Sequence, residues 1–203
     1  MAQRETAQKG PPAIEVPYKG LRYSMLSRGG VTVMMAQLDR NILEYSTAQV
    51  WVSNGSKGPV RISPQAFLMG LEGSPEQITG TPDSAVLDDI MKRARAHDVV
   101  ELVKAYETTL SGFANERSMG YYQRRKQQAL ASYGGGGKLR AAATASAIIL
   151  PEKMLRPGET IDGTVFFRTE GKHQRVSTLG ARLAGAMFDF PQALEAGGSG
   201  VNQ

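Results

Sequence analysis

The chain has 203 residues, 41% of them apolar and 21% charged, with a formal net charge of +5 and no cysteine. These totals suit a globular protein with a sizeable core, and they exclude disulfides, thiolate metal sites and thiol nucleophiles. No run approaches the ~18 apolar residues of a membrane-spanning helix, since the longest apolar-rich stretch, 141–150, is broken by Thr144 and Ser146.

Residues 1–12 are polar and end in Gly10-Pro11-Pro12, which predicts a flexible lead-in. Met1-Ala2-Gln3 and the charged stretch behind it are as expected of a mature chain that gained a start methionine after signal removal. Ile14, Val16 and Tyr18 alternate, as do Leu21, Tyr23 and Met25, around a turn at Lys19-Gly20. Gly29-Gly30 predicts a second turn, and Val31, Val33 and Met35 a third strand reaching Leu38, before a loop at Asp39-Arg40-Asn41. Ala48, Val50 and Val52 then share one side of a strand, and Asn54-Gly55-Ser56-Lys57-Gly58 is dense in turn formers. Alternation resumes at Val60 and Ile62, so a β-hairpin with one buried face is expected, with a bend or an edge position at Pro64. Short strands at this spacing argue for a sandwich or barrel.

The period then changes. Gly73 to Gly80 reads as a loop, and Thr81-Pro82-Asp83 as a helix start. Val86, Leu87, Ile90, Met91 and Ala94 recur at helical spacing, as do Val99, Leu102, Val103, Tyr106, Leu110 and Phe113, with a break expected near His97-Asp98. A further helix is predicted over Met119–Tyr133, ended by the glycines 134–137. Strand character returns at 141–150, and Arg156-Pro157-Gly158-Glu159 is a turn. Ile161, Gly163, Val165 and Phe167 alternate with Asp162, Thr164 and Phe166. After a turn at 171–174, residues 176–190 predict one long strand with a bulge near Gly185. The expected organisation is mainly β: one antiparallel sandwich over 13–190, two or three helices inserted at about 81–137, and a flexible tail over 191–203.

Charge is unevenly spread. Six basic residues and no acidic one fall between Arg117 and Arg140, leaving about −1 for the remainder. Within that segment Arg117, Tyr121, Tyr122, Arg124, Arg125, Lys126, Tyr133, Lys138 and Arg140 interleave cations with aromatics. Such a surface suits phosphates and stacked bases, an acidic polymer or an anionic lipid. The plainer reading packs the tyrosines on the fold and leaves the cations in water. The apolar stripe 99–113 divides in the same way between core packing and a contact with another copy of the chain.

Catalytic chemistry finds little purchase. His97 and Glu101 stand at i, i+4 and would bind a metal only with a third ligand, so a solvated histidine is the simpler reading. His173 lies in a Gly-Lys-His-Gln turn. A hydrolase would need a cleft joining one of these imidazoles to carboxylates, and no G-x-S-x-G elbow is present. The glycines 134–137 before Lys138 fail as a phosphate loop, because Leu139 replaces the hydroxyl residue and the run follows a helix. Asn54-Gly55-Ser56 matches a glycosylation sequon, which turn composition alone explains. No catalytic, metal or cofactor-binding set is expected.

Three stretches carry a resemblance: Val50-Trp51-Val52-Ser53-Asn54; Ile62-Ser63-Pro64-Gln65-Ala66-Phe67-Leu68; and Leu155-Arg156-Pro157-Gly158-Glu159 running into Gly163-Thr164-Val165-Phe166-Phe167. Together they resemble the telokin-like, immunoglobulin-like domains of bacterial extracytoplasmic proteins of unknown function. The resemblance spans about 30–71 and 141–190, and the helical insertion departs from it. It implies an immunoglobulin-like sandwich, secretion to the periplasm, cell surface or medium, and a binding or structural role without catalysis. The competing expectation is a binder of nucleic acid or another polyanion through 117–140.

Overall fold

The computed structural model describes residues 13–18, 21–113, 116–132, 137–170 and 175–191. The predicted lead-in, the turns at Lys19-Gly20 and 171–174, the glycines 134–136 and the tail from 192 lie outside them.

Strands β1 (Ile14–Tyr18), β2 (Leu21–Arg28), β3 (Val31–Ile42) and β4 (Tyr45–Asn54) form an antiparallel meander, with β9 (Thr160–Arg168) added beside β4. A second antiparallel sheet has the order β11 (Ala186–Pro191), β10 (Val176–Leu183), β6 (Phe67–Leu71), β7 (Gln77–Thr79). A two-stranded ribbon pairs β5 (Val60–Ile62) with β8 (Lys153–Leu155). One core lies between the two larger sheets: Val33, Met35, Val50, Val52, Val165 and Phe167 meet Phe67, Met69, Leu179, Ala181, Phe188 and Phe190.

Four helices occur among the described residues: α1 (Asp83–Arg93), α2 (Ala96–Phe113), α3 (Glu116–Ser132) and α4 (Gly137–Ile148). They cover part of the outer face of the five-stranded sheet, the rest of which carries a smaller cluster of Tyr23, Met34 and Ala36. Under the helices Leu38, Ile42, Tyr45 and Phe166 pack against Val86 and Ile90 of α1, Val99, Leu102 and Tyr106 of α2, Tyr122 of α3 and Ile148 of α4. The helices therefore lie on the fold and build a second core.

The block closes on a single strand. At its start the Thr81 N–H donates to the Phe166 carbonyl at 2.7 Å, and at its end the Leu150 N–H donates to the Thr164 carbonyl at 3.0 Å. Both partners belong to β9, so the edge of β9 away from β4 is capped by the two ends of the insertion. The chain approaches so closely there that a Cβ on Gly163 would fall 2.6 Å from the Leu150 Cα.

Several expectations are corrected. β4 and β5 are not a hairpin: β4 pairs with β3 and β9, while β5 turns away to β8. Nor has β4 one buried face: its outer residues Tyr45, Thr47 and Gln49 are buried like Ala48, Val50 and Val52 on the inner side, with Tyr45 against the helices and Gln49 accepting from the Tyr23 hydroxyl. Asp39-Arg40-Asn41 lies inside β3, where the ladder shifts register between Leu38 and Ile42. The 73–80 segment contains β7. The helical break falls at Ala94-Arg95, before His97. Residues 141–148 are helix, since Ala is the best helix former and a poor strand former, and five buried alanines let α4 sit closely among its neighbours. The insertion accordingly runs to Ile148. Finally, 176–190 is two strands, reversed by Ala184 (φ 51°) and Gly185 (φ 74°) in the pair of positive-φ positions that a two-residue hairpin needs.

Candidate functional site

The helical layer meets the sheet through charge as well as apolar contact. Asp162 of β9 is buried on the outer face, where Tyr106 of α2 donates its hydroxyl to the carboxylate and the Arg125 guanidinium of α3 approaches at 3.1 Å. The next residue of α2, Glu107, accepts from the Tyr122 hydroxyl at 2.6 Å and from Lys126 at 2.6 Å, both on α3. Lys126 also sits 5.8 Å from the centroid of the Tyr122 ring. Residues 122, 125 and 126 share one helix face, which directs all three to the acids of α2 and β9.

The electrostatics follow from burial and pairing. Burial pushes the Tyr106 hydroxyl well above its ordinary range, and the neighbouring Asp162 adds to it. Tyr122 is raised by burial and by Glu107. At Glu107 burial acts upward, but the hydrogen bonds from Lys126 and Tyr122 outweigh it and hold the carboxyl below its ordinary value. The tyrosines stay protonated donors and Glu107 an acceptor, so α3 is held to α2 by charge-assisted hydrogen bonds.

A second polar junction ties α1 to the sheet. Asp89 accepts from the Tyr45 hydroxyl and from Arg168, each at 2.6 Å, and Arg93 pairs with Glu44 at 2.6 Å.

The basic segment is thus divided. Tyr122, Arg125 and Lys126, expected on a polyanion surface, face inward, because buried or half-buried acids stand opposite them. Arg124 and Arg140 are exposed. Tyr133 and the side chains of Arg117, Tyr121 and Lys138 lie outside the described residues. His97 is exposed beside Asp98, and Glu101 is paired with Lys104 at 2.9 Å. His173 is outside the described residues, among which no group of three potential ligands is placed to hold a metal ion. Among those residues, no helix is long and apolar enough to cross a membrane.

At one end of the two-sheet core two of the three resemblance stretches meet. The Asn54 amide donates to the carbonyls of Gly58 at 2.8 Å and Leu155 at 2.9 Å, and its side-chain oxygen accepts from Ser56. Its backbone N–H donates to the Glu159 carbonyl and its carbonyl accepts from Gly158. One asparagine thereby fixes the 55–58 loop to the Leu155–Glu159 turn.

Reading the sequence missed Asp162 and Glu107. Asp162 stands alone in an apolar alternation, and that isolation was the available signal. Nothing in the order of residues says that the face it occupies is covered. Comparison of the chain with protein-family models, with curated proteins and with solved structures finds no match.

Proposed function

We propose that this chain is a non-enzymatic extracytoplasmic protein that binds or assembles with protein partners, another copy of itself included. Its scaffold is an immunoglobulin-like β-sandwich, and the helical layer is its interaction surface. The observation that carries the reading is how the helices are spent. Their inward side chains are consumed by the sheet, while Val100, Leu130 and Leu139 are large apolar residues left 44%, 37% and 41% exposed on three different helices. Large apolar side chains turned outward are what a protein contact uses as anchors. The immunoglobulin-like scaffold is supported by Asn54 and the Leu155–Glu159 turn, whose resemblance rests on residues that meet in space. Secretion follows from the same resemblance.

The experiment is solution mass by light scattering over a range of concentrations, for the intact chain and for L130K/L139K. The expected result is association that the double variant weakens and that added salt leaves intact. A chain that stays monomeric, with the double variant behaving alike, overturns the assembly reading.

A second reading, a binder of nucleic acid or another polyanion, is favoured by the exposed Arg124 and Arg140. It predicts affinity for heparin or single-stranded DNA that falls steeply with salt and drops in R124Q/R140Q.

A further inference from the structure

We infer that α3 is a releasable strap: charged and hydroxyl contacts hold it down, and it lifts from the fold while the two-sheet core stays closed. The helices differ in how they are anchored. α1 inserts Val86 and Ile90 into the second core, α2 inserts Val99, Leu102, Val103 and Tyr106, and α4 ends in Ile148. Among the described side chains of α3, Tyr122 alone is fully buried, while Arg124, Gln127, Gln128, Leu130 and Ser132 are exposed. Over 122–132, the part of α3 whose side chains are described, a row of polar contacts stands in place of an apolar stripe: Arg125 to Asp162 on β9, and Tyr122 and Lys126 to Glu107 on α2. Its neighbour α4 buries mostly alanines, which yield little apolar area per residue.

Segments with few buried apolar contacts open below the free energy of global unfolding. The Lys126–Glu107 pair is partly exposed, with side chains at 28% and 37%, so salt weakens it. Lifting α3 uncovers the Asp162 carboxylate and the Tyr106 ring, a patch that offers a hydrogen-bond acceptor beside an aromatic face. The inference does not depend on the proposed function.

Native-state hydrogen exchange on the full chain, read by peptide mass at low and high salt, tests it. Amides of 122–132 are expected to exchange at least about tenfold faster than those of β4 and β9, as a sub-global opening requires. Salt should widen the gap, and K126Q, at the partly exposed pair with Glu107, should speed α3 while leaving β6 and β10 unchanged. Exchange of α3 at the rate of β4 overturns the inference, as does equal acceleration of all elements by the variant.

Discussion

The Arg125 guanidinium on α3 lies 3.1 Å from the Asp162 carboxylate on β9, with both side chains shielded by the helical layer. Removing one partner from a buried pair strands the other charge, which costs far more than the intact pair contributes. Asp162→Ala is expected to destabilise the fold by about 3–5 kcal/mol, measured by urea denaturation. Adding Arg125→Met to that variant should recover part of the loss. A single variant within about 0.5 kcal/mol of the parent, the range of neutral surface changes, would mean the pair is not desolvated.

Asn54 satisfies two carbonyls with its amide and two donors of Ser56 with its oxygen. Asn54→Ala leaves buried polar groups without partners and should cost about 2–3 kcal/mol. Thermal unfolding checks the magnitude. Faster exchange at the Ser56 amide, whose side-chain acceptor the variant removes, checks the cause.

A methyl on Gly163 would press on the backbone of Leu150, at the point where the insertion returns to β9. Backbone cannot swing aside as a side chain does, so Gly163→Ala should cost at least the ~1–3 kcal/mol of ordinary overpacking. The 149–150 segment should then lose protection before the rest of the sheet does.

Acid should loosen α1. Glu44 is held below its ordinary 4.5, first by the hydrogen bond from Arg93. Asp89 is held below 3.8, first by the hydrogen bond from Tyr45 and then, against the upward effect of burial, by the charges of Arg168 and Arg93. Groups depressed in the folded state contribute stability that is complete above their unfolded values and is lost as pH falls through the folded ones. The melting temperature should therefore fall more steeply from about pH 5 toward 3 in the parent than in E44Q/D89N. Equal slopes would place the acid sensitivity elsewhere.

Local chemistry made much of this fold legible. The alternation of Ile161, Gly163, Val165 and Phe167 marks the inward face of β9, and Val86, Ile90, Val99, Leu102 and Tyr106 mark the faces of α1 and α2 that pack inward. What stayed hidden depended on distant partners. Val50 and Trp51 look like one arm of a local hairpin until β9, more than a hundred residues on, is seen beside them. The run 141–148 is short and apolar enough to suit either a strand or a helix, and tertiary packing of its alanines decides for helix. Arg125 and Lys126 read as solvated because sequence alone does not set Asp162 and Glu107 opposite them.

The central claim is that the helical layer is a surface for protein contact. Light-scattering mass of the intact chain, followed from dilute to concentrated solution at low and at high salt, tests it most directly. The account predicts a mass above the 21.9 kDa of one chain that rises with concentration and survives added salt. A single-chain mass throughout, together with heparin or DNA binding that salt abolishes, would contradict it and leave the exposed arginines as the functional surface.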